Sequence, residues 1–378
     1  LVDMLDFNRV EFNKSINLSV NKKVEIETKY EIVKIGEYIQ LFDTQRKPIK
    51  ESDRKNGEFP YYGATGIIDN IDNFTHDGRF LLIGEDGAKW GANENSSFIV
   101  NGKFWANNHV HVLKTKEDKL MDIYLKEYLN KIDLNMEYIT GLTVKKLNQG
   151  NLLSIKIPLP PIEIQEQIVK ECQKVDDEVS KANEIIEQSK QNIENGFLEL
   201  FSNATHSFKL SNDDIFDVSI GRRVLAKEIE ENPSDEAIIV YSANVFEPFG
   251  YIKKDLLKDF SKDSVLWGID GDWMVNFIPK EKPFYPTDHC GVVRIKQDVL
   301  HGRYLAWALN KAGIEFRFSR ANRASTERIK GMVIKAPSFE EQNKFALEVE
   351  KLEKNISEAQ KVINGAKVKK EEILKKYL

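Results

Sequence analysis

Several clusters in this 378-residue chain have side chains that could do chemistry. Glu117-Asp118-Lys119 and Asp53-Arg54-Lys55 have the acid-x-Lys spacing of metal-dependent nucleases. Such a site also needs converging carboxylates, and where 30% of residues are charged these triplets arise by chance. His109-Val110-His111 offers two imidazoles of the kind that bind zinc, but has no nearby cysteine or acid to complete a tetrahedral set. His109 recurs as His289 in a similar apolar stretch, which reads as a scaffold histidine hydrogen-bonded beside a strand. Cys172 and Cys290 lie in different halves, and Cys172 falls on an apolar helix seam, so both are expected to be buried thiols without a disulfide. An adenine methyltransferase needs a glycine-rich turn for its methyl donor and an Asn/Asp-Pro-Pro-aromatic stretch to hold an extruded base. The nearest dipeptide, Asn232-Pro233, continues as Ser234-Asp235, and Gly63-Ala64-Thr65-Gly66 lacks a Rossmann-like context. There is no Gly-x-x-x-x-Gly-Lys-Ser/Thr loop for ATP. We therefore assign no catalytic residue, no metal and no cofactor.

Binding chemistry remains. The net charge of −5 argues against a nucleic-acid partner until it is divided by segment. Residues 30–158 hold 17 Lys+Arg against 18 Asp+Glu, and residues 208–336 hold 20 against 19, whereas residues 162–204 hold 4 against 10. Over 19 residues from Arg317, six basic side chains (Arg317, Arg320, Arg323, Arg328, Lys330, Lys335) face the single acid Glu327. Clustering of this kind supplies phosphate-directed attraction even in an acidic chain. The absence of a long apolar run or a signal sequence gives the expectation of a soluble, cytoplasmic protein with no membrane partner.

The elements that would position these groups are written twice. Pro158-Leu159-Pro160-Pro161-Ile162-Glu163-Ile164-Gln165 opens a long polar run with an apolar seam, and Lys335-Ala336-Pro337-Ser338-Phe339-Glu340-Glu341-Gln342 opens a second. Upstream, Leu82-Ile83-Gly84-Glu85-Asp86-Gly87 matches Leu266-Trp267-Gly268-Ile269-Asp270-Gly271, and Tyr124-Leu125 matches Tyr304-Leu305. The offset drifts from 184 to 177, which places insertions on loops between matched blocks. Within each copy, runs such as Phe80–Ile83, His109–Leu113, Ala237–Tyr241 and Gly291–Ile295 read as strands, and Met121–Lys131 and Gly302–Ala312 as helices.

The long runs carry heptad seams. In the first, Ile168, Val175, Val179, Ile186 and Ile193 lead a series that also holds Cys172, Ala182, Ser189 and Gly196; in the second, Val349, Leu352, Ile356 and Ile363 do the same, with Lys370 as a polar interruption. Roughly 40 residues at about 1.5 Å each makes each helix on the order of 60 Å long. The first helix is net −6 and the second, from Ser338 to Leu378, net +1, which favours an antiparallel pairing of one with the other. A dumbbell with one globular domain at each end is the expected shape.

Together these features resemble the specificity subunit of type I restriction-modification enzymes, whose mark is a P-L-P-P-hydrophobic-x-x-Q stretch, here Pro158 to Gln165. Phe59-Pro60-Tyr61-Tyr62-Gly63-Ala64-Thr65-Gly66 and the Leu82–Gly87 block also look like motifs of that family's recognition domains. Ile164 stands where an acid is usual, and the second copy keeps only Pro337 of the proline run. The resemblance implies two pseudo-symmetric mixed α/β target recognition domains joined by two long helices forming an antiparallel coiled coil. On this reading the chain divides into an N-terminal segment (1–29), recognition domain 1 (30–158), spacer helix 1 (159–205), recognition domain 2 (206–336) and spacer helix 2 (337–378). It further implies a non-catalytic reader of an asymmetric bipartite site on double-stranded DNA, docking adenine N6 methyltransferase (modification) subunits on its helices and joined by restriction and motor subunits. Because the chain opens with Leu1 instead of Met, one alternative is the recognition portion of a larger enzyme with a fused upstream methyltransferase; a native product near 43.6 kDa would defeat it. Another alternative is a coiled-coil protein adaptor.

Major-groove readers use Arg or Lys on guanine and Asn or Gln on adenine. Candidates on Gly- and Asn-rich turns where the copies diverge are Tyr62, Thr65, Lys89, Trp90, Asn107, Asn108, Lys145 and Lys146 in the first domain. In the second they are Arg222, Arg223, Ser242, Asn244, Trp273, Arg320, Asn322 and Arg323.

Overall fold

The computed structural model describes residues 28–378, apart from positions 136, 142, 231, 232, 234, 235, 255 and 258. Most of the N-terminal segment and Asn232 of the Asn-Pro dipeptide thus lie outside the described residues. The chain divides into two compact units. The first holds residues 28–182 with Lys361–Leu378, and the second holds Asn183–Gln360.

In the first unit one antiparallel sheet has the strand order Ile39–Leu41, Val110–Thr115, Phe80–Gly84, Ser97–Val100. A second sheet has the order Gly66–Ile71, Asn56–Gly63, Lys103–Ala106, His76–Asp77, and its middle pair is parallel. Ile32–Lys34 and Lys156–Pro158 form a two-stranded ribbon. Phe80-Leu81-Leu82-Ile83-Gly84 is buried throughout because successive side chains alternate between two cores. Leu81 and Ile83 join the core that includes Tyr124 and Leu125 of helix Asp122–Leu129, while Phe80 and Leu82 join Phe104 and Val112. Each such Leu or Ile removed from water contributes roughly 1.5–3 kcal/mol.

The second unit repeats this plan. Its antiparallel sheet runs Phe216–Ile220, Cys290–Ile295, Ser264–Gly268, Val275–Ile278, with helix Gly302–Glu315 packed on the last two strands. A smaller sheet orders Gly250–Ile252, Ile238–Tyr241, Phe284–Pro286, again with one parallel pair, and His206–Lys209 pairs with Val333–Ala336. Ser264-Val265-Leu266-Trp267-Gly268 is buried throughout, as its counterpart in the first unit is. Both cysteines are buried and free.

The two long helices are Ile162–Ser202, 41 residues, and Phe339–Tyr377, 39 residues. Within the first unit Glu171 pairs with Lys376 at 2.8 Å and Glu178 with Lys369 at 2.9 Å, so numbering rises along one helix as it falls along the other. Ile168, Cys172, Leu374 and Leu378 share one core. Within the second unit Phe197 meets Phe345 edge to face at 5.0 Å and stacks on Trp307 at 5.1 Å. The helices are therefore antiparallel in the first unit and in direct contact in the second. Val175, Ile186, Ile193, Val349 and Ile356 are buried, and Val179, Leu352 and Ile363 half-buried. Lys370 interrupts the seam because its ammonium sits between Asp176 at 2.6 Å and the buried Glu127 at 3.0 Å. No helix among the described residues is long and apolar enough to cross a membrane.

The motif that opens each helix is a clasp. Gln165 is fully buried; its Oε1 accepts the Met121 N–H at 2.8 Å, at the uncapped start of helix Asp122–Leu129, and its amide donates to the Pro160 and Lys119 carbonyls, each at 2.9 Å. Gln342 repeats this, accepting from His301 N–H at 2.9 Å and donating to Pro337 O at 2.9 Å. Where the first helix enters through Pro161, the second uses a capping box: Ser338 Oγ accepts the Glu341 N–H at 3.3 Å while the Glu341 carboxylate accepts the Ser338 N–H at 3.0 Å. The second copy can thus lose most of its prolines and still start a helix.

Candidate nucleic-acid interface

The block Gly84-Glu85-Asp86-Gly87 leaves its strand into a turn held from two sides. Glu85 N–H donates to His109 O at 2.8 Å, and Leu147 N–H donates to Glu85 O at 2.8 Å. In the second unit Ile269 N–H donates to His289 O at 3.0 Å and Ala324 N–H to Ile269 O at 3.3 Å. Gly84 and Gly268 permit a third approach, since a Cβ there would lie 2.9 Å from Ala64 O and 2.3 Å from Ala243 O respectively. Leu147 and Ala324 are therefore equivalent, and with them Lys146 and Arg323. These pairs are 177 positions apart, as Gln165 and Gln342 are, so carrying that interval upstream of the glutamines could have found them.

The turns also share an ion pair. His109 Nδ1 meets Asp86 Oδ1, and His289 Nδ1 meets Asp270 Oδ2 at 2.5 Å, with Arg323 Nε on the other carboxylate oxygen of Asp270. Burial pushes Asp270 up, but His289 and Arg323 outweigh it and hold its carboxyl below the usual range.

Among the described residues, the first unit adds a buried network behind the turn. His111 is 1% exposed, with Nδ1 at 2.6 Å from Asp43 Oδ2 and Nε2 at 2.7 Å from Leu147 O. Glu85 meets Arg46 at 2.5 Å and Lys146 at 2.7 Å. Asp43, Glu85 and His111 bring ligand atoms within 4.8 Å of one another, a spacing that could hold a metal ion. The donor set does not fit one: His111 Nε2 must donate to a carbonyl, and Arg46 and Lys146 already supply positive charge. Burial raises Asp43 and Glu85, but His111 at the first, and Lys146 and Arg46 at the second, lower both overall. The second unit has Ile269 in place of Glu85.

Beside this turn lies an open cleft of about 610 Å³ lined by Gly87–Gly91, Glu94, Asn135, Thr143, Val144 and Lys145. A family model described as the type I restriction modification DNA specificity domain matches residues 27–195 and again 208–367, most of the chain in two copies. The chain belongs to this specificity family. It is 42% identical over 136 residues to a Haemophilus influenzae protein named as a type I restriction enzyme specificity subunit, covering 36% of this chain and 34% of that one. It is 25% identical over 187 residues to the type I restriction enzyme MjaVIII specificity subunit of Methanocaldococcus jannaschii, covering 47% and 43%. The matches thus span less than half of either relative's length. In fold the chain is similar to the type I restriction-modification S subunit of M. genitalium, with a TM-score of 0.62 at 14% identity over 94% of this chain and 99% of that one. A chain from a structure concerned with complex assembly and conformational transition of the type I R-M system gives a TM-score of 0.53 at 13% identity, over 93% and 98%.

In this specificity-family chain the candidate readers fall into two groups. Thr65, Lys89, Asn108 and Lys145 of the first unit are exposed, and Lys89 and Lys145 converge on the cleft with Asn135 and Thr143, two residues the sequence did not single out. Trp90 and Asn107 are buried: the indole N–H donates to Gly84 O at 3.0 Å, and Asn107 Oδ1 accepts the His109 N–H at 2.8 Å. The Trp90 indole N–H and the Asn107 Oδ1 are thus bonded inside the fold. Tyr62 is half-buried and stacks on Phe98 at 5.6 Å; Lys146 is tied to Glu85.

In the second unit Arg222, Arg223, Asn244, Arg320 and Arg323 are exposed. Asn244 turns its Oδ1 onto the Phe246 and Glu247 N–H groups, at 3.0 and 3.1 Å. Ser242 Oγ accepts from Thr287 Oγ1 at 3.0 Å, and Trp273 donates its indole N–H to Asn310 O at 3.0 Å. Asn322 forms a clamp. Its amide donates to the Phe316 and Arg317 carbonyls, each at 3.0 Å, while Arg328 donates to its Oδ1 at 2.6 Å. The clamp holds Arg317 at φ 53°, a left-handed conformation that costs a non-glycine residue energy. Phe316, Arg317 and Arg320 remain exposed around it.

Proposed function

We propose that this chain is the non-catalytic reader of a type I restriction-modification complex. Each α/β unit contacts one half of an asymmetric bipartite site on double-stranded DNA. The long helices set the unread gap and dock adenine N6 methyltransferase subunits, and restriction and motor subunits join the full complex. One observation carries the reading: a single scaffold occurs twice, with different exposed side chains in the equivalent segments that lead to Leu147 and Ala324, Lys145 on one copy and Arg317 and Arg320 on the other. Duplicated frames with unlike polar fingertips suit two unlike half-sites.

The deciding measurement is selection from randomised duplexes by the full chain, with and without modification subunits, over a salt series. Recovery of two fixed half-sequences separated by a constant gap is expected. Selection of no bipartite sequence would leave a protein adaptor or a nonspecific binder. Arg320→Ala is expected to weaken discrimination at one half-site by about 1–3 kcal/mol and leave the other unchanged; equal loss at both would place its effect in folding or overall charge. Inserting whole helical turns into both long helices should widen the gap and keep both half-sequences, and altered half-site bases would contradict the division of labour.

A further inference from the structure

The geometry points to His109 and His289 as a matched pair of phosphate contacts, one in each unit, an inference that rests on the DNA-reading function proposed above. Each ring is bound at Nδ1 by an aspartate of the equivalent turn, and the two side chains are 50% and 52% exposed. The backbone bonds from Glu85 and Ile269 N–H to the histidine carbonyls already secure the turn, so the imidazoles are not needed to hold the fold there. A merely structural pair would be buried, as His111 is at 1% exposure.

What the two copies share is informative because their neighbours differ. Lys145 is replaced by Asn322, Lys146 by Arg323 and Glu85 by Ile269, yet the Asp–His pair is identical. Units that read different bases have only the sugar-phosphate backbone in common as a target, so an identical exposed device on both suits phosphate and not a base edge. Lys146 and Arg323 lie beside the pairs, each bonded to a carboxylate of its own turn, Glu85 and Asp270. With Nδ1 held by the aspartate, Nε2 is the ring nitrogen left to donate to a phosphate oxygen. The charged groups facing the rings are Asp86, with Lys146 and Glu85 beyond it, for His109, and Asp270, Asp288 at 3.9 Å and Arg323 for His289.

The test uses the full chain and its own selected duplex. His109→Gln and His289→Gln, each shown to melt as the parent does, are titrated over a salt series and mapped by phosphate-ethylation interference. Each substitution is expected to lower the slope of log K against log salt by about 0.9 and to silence one interfering phosphate in its own half-site, with the selected bases unchanged. Should one variant fail to fold, the other reports independently from its own unit. Unchanged slopes and footprints with a parent that still selects its sequence would overturn the phosphate contact alone, as would a changed base preference. A parent that selects no sequence would overturn the DNA-reading function and this contact with it.

Discussion

Glu127→Ala is expected to destabilise the first unit by about 3 to 5 kcal/mol, because it removes the buried one of the two carboxylates that hold Lys370. Glu127 is 3% exposed on helix Asp122–Leu129 and accepts from Lys126 at 2.6 Å and from Lys370 at 3.0 Å. Lys131, 4% exposed nearby, donates to Asn93 Oδ1 at 2.8 Å and to Lys367 O at 2.5 Å, and burial pulls its ammonium down to about 8 despite Glu127. Without the carboxylate, Lys370 keeps Asp176 alone, and Lys131 loses its strongest attraction. Replacing both partners, as Glu127→Leu with Lys370→Met, should recover most of the loss, since an apolar pair of similar volume removes two desolvation penalties together. The pH profile gives an independent reading. Burial raises Glu127, but Lys126 and Lys370 outweigh it and the net shift is downward. A carboxylate lowered by folding contributes stability that is present above its unfolded value, about 4.3, and lost as pH falls through the folded one. Urea denaturation and amide exchange at Asp122–Leu129 measure both effects; a loss under about 1 kcal/mol would show that the cluster is solvated and weak.

Gln165→Leu should be nearly as damaging, at about 2–4 kcal/mol, although it keeps the volume and adds apolar surface. It leaves the Met121 N–H and the Pro160 carbonyl without their side-chain partner in a fully buried place. Gln342→Leu should cost less, because the second clasp makes two hydrogen bonds where the first makes three. Thermal melts compared between the two variants check the order. A Gln165→Leu protein as stable as the parent would mean that the glutamine serves something other than the junction of helix and domain.

The repeat, the mixed α/β character of each copy and the two long helices were legible in the sequence alone. Phe80 to Ile83 reads as a strand buried on both faces, and the seam from Ile168 steps by fours and threes, because backbone periodicity is a local property. Lys370 was legible only as an interruption. Its partner Glu127 lies 243 positions away, and no local pattern records a contact made by tertiary folding. The same limit governs the candidate interface. Trp90, Asn107 and Asn322 have the right chemistry for reading bases, but their polar atoms are used by Gly84, His109 and the Phe316–Arg317 carbonyls. Residue type sets what a side chain can bond to, and only the packed chain decides whether those bonds face inward or remain for a ligand. The sequence by itself therefore determined the duplicated architecture, while the tertiary structure decided which of its polar groups are bonded inside the fold and which stay exposed.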